Sequence, residues 1–166
     1  MDEDAKKTAL RMIPYGIYVL TAEKGDAVGA ATVNWVTQTA FTPPLVAVGV
    51  KTDSATYATI KDAGHFALNM LGKGQQGIAF GFFKPAEKDG DTIGGESYRS
   101  GTTGAPILEN APASVECKVL EIVEQGDHQV VVGELVEAHA ATAPEGRPDQ
   151  AILTKWELGD NVFYGG

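Results

Sequence analysis

The sequence predicts a mainly β protein, closed as an antiparallel barrel. Three observations carry this expectation. Six or so segments read as strands, only two or three short helices interrupt them, and strand and helix do not alternate as a parallel doubly wound sheet demands. At 166 residues the chain suits a single domain, residues 1–166, long enough to bury roughly 70% of its unfolded surface and to fold without staples.

Ala5 to Met12 suits a short helix that ends before Pro14. "PYGIYVLTAE" alternates as a strand, and "EKGDAVG" reads as a hairpin turn through Gly25 and Asp26. The stretch "ATVNWVTQTAFTPPLVAVGV", Ala31 to Val50, follows as a second long strand broken by Pro43 and Pro44, with "LVAVGVK" as a third. Its second half is apolar, as a buried strand should be. Its first half sets Thr32, Asn34, Thr37, Gln38 and Thr39 among β-branched and aromatic residues, and those hydroxyls and amides require partners.

"DSATYATIKDAG" reads as a helix capped by Asp53 or Ser54, with Ala55, Ala58 and Ile60 turned inward and Gly64 as its stop. "HFALNML" is a strand, "GIAFGFF" a short helical turn, and Lys84 to Pro106 a glycine-rich loop region. "ASVECKVLEIVE" and "HQVVVGELVEAHA", joined by "QGD", form a twisted antiparallel hairpin; in the first, Val115, Cys117 and Val119 alternate with Glu116 and Lys118. "AILTKWEL" is a strand or short helix, and "GDNVFYGG" a tail.

Twenty-two acidic against thirteen basic residues give a net charge of −9, which argues against DNA or RNA as a partner. Cys117 is the single cysteine, so no intrachain disulfide forms, in keeping with a reducing compartment. The opening "MDEDAKKTALRM" lacks the apolar stretch of a signal peptide, and no run approaches the roughly 18 apolar residues of a membrane helix. A cytoplasmic, soluble protein with no membrane partner is expected.

Walker, G-x-S-x-G and H-E-x-x-H motifs are absent, as is a glycine fingerprint opening a helix after the first strand. His65, His128 and His139 are scattered, so no metal site is expected. "VGVKTDSATY" is more informative, because a strand running into a helix start brings Lys51, Ser54, Thr56 and open backbone N–H groups to one point, a competent phosphate site. The plainer alternative is a simple N-cap with Lys51 as a surface charge.

Together "PYGIYVLTAEKGDAVGAATVNWVTQTAFTPPLVAVGVKTDSATYATIKDAGHFALNML" and "ENAPASVECKVLEIVEQGDHQVVVGELVEA" resemble the flavin reductase-like family of FMN-binding split barrels. The shared features are the hydroxyl-rich second strand, the proline pair before a buried strand, Lys51 with Ser54 and Thr56, "HFALNML", "GAPIL", Cys117, and "GDH" leading into a strand with Gly133. They run from about Pro14 to Ala138 in the family's order.

The resemblance implies an antiparallel Greek-key split β-barrel with two or three short helices, a homodimer with FMN at the subunit interface. Ala31, Thr32, Val33, Asn34 and Trp35 would contact the flavin. Val48, Gly49, Val50 and Lys51 would lead to its phosphate, Ser54 and Thr56 would hold it, and the stretch Phe80 to Lys84, with Phe83 in it and Lys84 as a second cation, would flank that end. His128 of the "GDH" would sit where a nicotinamide approaches, orienting it or the ring. The tail aromatics Phe163 and Tyr164 would cover a ring in the partner subunit or simply pack at the C-terminus.

Such a polar strand makes physical sense, since the N–H and carbonyl groups of a buried flavin edge must be paired. The implied activity is that of an NAD(P)H-dependent flavin reductase, passing hydride from NADH or NADPH to FMN N5 and electrons onward to a separate acceptor. Free-flavin reductases of the family commonly carry small serines where this chain has Asn34, Trp35 and Gln38. A bulkier wall allows a second reading, a flavoredoxin-like electron-transfer protein with tightly held FMN reduced by a protein partner. A third is a non-catalytic FMN-binding or dimerisation module.

Overall fold

In the computed structural model, which describes residues 1–162 and Tyr164, the hairpin at Gly25 and Asp26 forms as its sequence dictates. Strands β1 (Tyr18–Lys24) and β2 (Ala27–Val33) pair antiparallel, with Lys24 opposite Ala27. Gly25 has a φ of 58°, a conformation that only glycine adopts without strain. Helix α1 (Glu3–Arg11), capped by Asp2, precedes them and buries no residue.

The stretch Ala31 to Val50 departs from the expected single break at the prolines. It breaks first at Asn34 and Trp35, so that β2 is followed by a separate strand β3 (Val36–Phe41), then by β4 (Pro44–Lys51). Helix α2 (Ala55–Ala63) leads into β5 (His65–Met70), and α3 (Gln76–Gly81) follows. The glycine-rich region read as loop holds four short strands, β6 (Lys88–Asp89), β7 (Thr92–Ile93), β8 (Glu96–Ser100) and β9 (Pro106–Leu108), which form a small second sheet. The long hairpin β10 (Ala113–Val123) and β11 (His128–His139) completes the strands. The segment "AILTKWEL" makes isolated bridges at Ile152 and Thr154 and then a 3₁₀ turn, Lys155–Leu158.

The main sheet runs β2-β1-β5-β10-β11-β4-β3, with every neighbouring pair antiparallel. Its outermost strands, β2 and β3, are thus consecutive in the chain and joined only by Asn34 and Trp35. In a flat sheet they would lie about 29 Å apart, six spacings of roughly 4.8 Å, whereas three Cα steps span at most about 11 Å. The sheet therefore curls until its edges meet, and one long stretch of chain serves both. Barrel closure follows from connectivity.

Leu20, Val48, Val50, Phe66, Leu68 and Val131 fill the inside, with Tyr57 and Ile60 of α2 packed among them. The helix turns Thr56, Tyr57, Thr59 and Ile60 inward, while Ala55 and Ala58, expected inward, are exposed. The two threonines and the tyrosine bury more apolar area than two alanine methyls do, so packing selects the other face. Among the described residues no helix is long and apolar enough to cross a membrane.

Glu116, expected to face solvent, is fully buried. A register shift between Glu116 and Cys117 puts both on buried sides of β10. The loop before β9 then closes over the carboxylate, which accepts from Thr102 N (2.9 Å), Thr103 N (2.6 Å), the Thr103 hydroxyl (2.6 Å) and His139 Nε2 (2.7 Å).

Candidate functional site

Where the ends of β2 and β4 meet the start of α2, a cleft of about 550 Å³ opens. Alternation along β4 decides who faces it. Val46, Val48 and Val50 point their side chains into the core, while Gly49 and Lys51 have the opposite parity. Gly49 and Lys51 line the cleft, joined by Val50, whereas Val48, 1% exposed, belongs to the barrel interior alone.

From β2 and the residue after it come Ala31, Thr32, Val33 and Asn34. Both Thr32 donors are spent on the segment opposite, its N–H on Phe82 O (3.1 Å) and its hydroxyl on Ala79 O (2.7 Å). Thr32 thus ties the two walls of the cleft together, and its hydroxyl has only acceptor lone pairs left to offer. Thr37, Gln38 and Thr39 lie exposed on the outer strand β3, where the Thr37 hydroxyl and Gln38 amide bond to nearby backbone carbonyls.

Trp35 backs the wall rather than facing the cleft. Its carbonyl accepts from Gly49 N (2.8 Å), and a Cβ at Gly49 would come within 3.1 Å of its indole, so the missing side chain of Gly49 makes room for that ring. Phe83 and Lys84 line the opposite side together with Phe82. Phe80 lies outside the lining, 43% exposed, with its ring edge-on to Phe83 at 5.3 Å. Phe163 lies outside the described residues.

At the α2 end, Ser54 rather than Asp53 is the cap: its Oγ accepts from Tyr57 N (3.1 Å) and donates to Lys51 O (2.7 Å). Ala55 and Thr56 line the cleft, which brings to it the first-turn N–H groups that helix geometry leaves without intrahelical partners. Gly29 permits this approach, since a Cβ there would stand 2.6 Å from Thr56 Cα. Lys51, Lys84 and Lys155 set three ammonium groups against the one carboxylate of Asp53. Asp53, 3.1 Å from Lys51 Nζ, holds that ammonium above the usual lysine value, and it stays charged.

His128 stands on β11 directly across from Lys51 of β4 and lines the same cleft. Its Nδ1 is 2.9 Å from Asp127 Oδ1 and its Nε2 2.5 Å from the Tyr164 hydroxyl. A carboxylate only accepts, so in the neutral ring Nδ1 carries the hydrogen and Nε2 accepts from Tyr164. That bond from His128 holds the Asp127 carboxyl below its ordinary value. Trp35 and His128 meet edge to face with centroids 4.7 Å apart.

Phe82, Lys155, Val162 and Tyr164 also line the cleft; Phe82 falls within the stretch Phe80 to Lys84 expected there, whereas sequence reading attached neither Lys155 nor Val162 to it. Phe82 carries a usable signal, an aromatic beside Phe80 and Phe83 that is 2% exposed. Lys155 carries none, because only the fold brings the C-terminal segment back to β2.

The residues fit a flavin nucleotide. The cleft's volume falls in the range of cofactor sites, a helix start with lysines suits a phosphate, and Asn34 and His128 offer polar groups beside an otherwise apolar slot. Fold and site together define a small antiparallel barrel with a nucleotide-accepting cleft. The chain belongs to the flavin reductase-like family, whose model, described as a flavin reductase like domain, matches residues 10–154.

It is 33% identical over 132 residues to a flavin reductase of Pseudomonas putida, covering 79% of this chain and 76% of that one. Among solved structures it is similar to the NADH:FAD oxidoreductase SgcE6 of Streptomyces globisporus C-1027, with 26% identity, TM-score 0.70 and coverage of 84% and 85%. It is also similar to an FMN-binding protein of Thermus thermophilus, with 26% identity, TM-score 0.68 and coverage of 77% and 71%. The chain spans only about a quarter of the length of the diflavin flavoproteins of Synechocystis and Nostoc that it matches at 33% identity.

Proposed function

We propose that the chain is an NAD(P)H-dependent flavin reductase that takes FMN into this cleft and hands electrons on to a separate acceptor. The observation that carries the reading is the cleft itself, lined by Lys51, Lys84, Lys155, a helix start and His128, with His128 directly across from Lys51 in the β4–β11 ladder. The likeness to a flavin reductase and to an NADH:FAD oxidoreductase supports the activity, and that to an FMN-binding protein supports FMN. The flavin supplies a ring that accepts a hydride and releases its electrons singly or in pairs.

The chain's own residues do the rest. Lys51, Lys84 and the N–H groups of α2 bind the phosphate, with Ser54 and Thr56 at the same helix start. Asn34 offers an amide to the ring edge, and Ala31, Val33 and Phe83 shield it from water. His128, with its tautomer set by Asp127, orients the nicotinamide against the ring. The assembly is a homodimer with the cleft at the subunit interface, and the buried thiol suits a cytoplasmic setting.

An electron carrier with tightly held FMN is the second reading. It draws on the crowding of His128 by Trp35 and Tyr164. Anaerobic absorption spectra of the FMN-loaded protein, before and after NADH or NADPH, decide between the two. Bleaching by either nucleotide is expected, slowed about tenfold in His128→Ala. Persistent yellow colour selects the carrier, and a failure to bind FMN at all removes both.

A further inference from the structure

Building on the flavin reading of the cleft, we infer that Tyr164 is an internal, displaceable occupant of the site, so the chain's own tail sets how readily flavin enters and leaves. The tyrosine lines the cleft and is held there at three points. Its hydroxyl reaches His128 Nε2 at 2.5 Å, its backbone carbonyl accepts from Asn34 Nδ2 at 3.2 Å, and its ring lies 5.3 Å from that of Trp35 at a tilt of 45°.

Two of these anchors are the groups best suited to a planar polar ligand. Asn34 is only 5% exposed, so its amide cannot turn to solvent for an alternative partner, and its Nδ2 donates to the Tyr164 carbonyl. His128 has one nitrogen on Asp127 and the other on Tyr164, so both ring nitrogens are engaged. A ligand that pairs with either group at these atoms takes the place of Tyr164.

Tyr164 itself is weakly committed to the fold, being 47% exposed and absent from the buried clusters. Burial holds its hydroxyl above the ordinary tyrosine value, so it remains a donor to His128 across the neutral range. An intramolecular competitor lowers apparent affinity by the fraction of time it vacates the site. Two displaced hydrogen bonds correspond to roughly a fivefold to 150-fold reduction.

The test compares FMN binding by wild type, Tyr164→Phe and Tyr164→Ala, read by flavin fluorescence quenching at equilibrium and in stopped flow. Hydrogen exchange of the segment 159–166 is followed with and without FMN. Tyr164→Ala is expected to bind about tenfold more tightly through faster association, with Tyr164→Phe between it and wild type, and FMN is expected to raise exchange of the tail. Weaker binding in Tyr164→Ala, or a tail protected by FMN, overturns the proposal and makes Tyr164 a wall that retains flavin. Equal binding by all three leaves the flavin reading standing and removes only the tail's role. No binding by any of the three, with unaltered far-UV circular dichroism, removes the flavin reading and this inference with it.

Discussion

At Glu116 two large opposing effects meet on one carboxylate. Burial alone pushes its pKa up, but the Thr103 hydroxyl and N–H, His139 and the Thr102 N–H outweigh it and hold it at about 2. A folded value below the unfolded one gives stability that is present above the unfolded pKa and lost as pH falls toward the folded one. The window is pH 4.5 down to about 2, and the contribution is of order 3 kcal/mol. Glu116→Gln, which turns an acceptor of four donors into a group with an unwanted NH₂, is expected to destabilise by about 3 kcal/mol at pH 7 and to flatten acid unfolding in that window. Urea unfolding at pH 7 and pH 3 measures both; equal acid sensitivity of the two proteins would refute the account. Beside it, burial first and the Glu116 charge second push the Cys117 thiol up to about 12, so it is a packing residue. Nothing in the alternating pattern around Val115, Cys117 and Val119 signals a buried acid, because a register shift is set by the partner strand.

Elements with a self-contained signal were legible. The hairpin at Gly25, the α2 stop at Gly64 and the β10–β11 hairpin each depend on residues close in sequence. The break at Asn34 and Trp35 was not, because nothing local ends a strand there. It arises because β2 must leave β1 and join β4 as the sheet curls. Close approach on β11 leads to a further expectation. A Cβ at Gly133 would stand 2.6 Å from Phe66 Cζ and 2.8 Å from Cys117 Cβ, both fully buried. Gly133→Ala is therefore expected to lower stability by about 1–3 kcal/mol through displacement of Phe66, as thermal unfolding would show. Phe66→Leu in the same chain should recover part of that loss, and no recovery would mean that the strain lies elsewhere.

Across the whole molecule, a chain of net charge −9 gathers Lys51, Lys84 and Lys155 around one cleft. That local field is long-range and open to salt. Raising NaCl from about 0.05 to 0.5 M is expected to weaken FMN binding several-fold, while riboflavin, which lacks the phosphate, is bound with little change. Lys51→Ala with Lys84→Ala should remove the difference between the two ligands. Equal salt dependence for FMN and riboflavin would place the phosphate elsewhere.

By itself the sequence determined the mainly β character, the hairpins, the helix that carries Ser54 and Thr56, and the family. These rest on side-chain periodicity, turn chemistry and motif order, which are local or ordered along the chain. It also marked about half of the cleft's lining, since Ala31 to Asn34 and Gly49 to Lys51 with Ser54 and Thr56 lie in two short segments. Only the tertiary structure decided that Val48 faces the core, that Glu116 is enclosed by the loop between β8 and β9 and by His139, and that Tyr164 reaches back to Asn34 and His128. Those outcomes depend on which distant strand pairs where, and the curling of a seven-stranded sheet brings together residues as far apart as Asn34 and Tyr164.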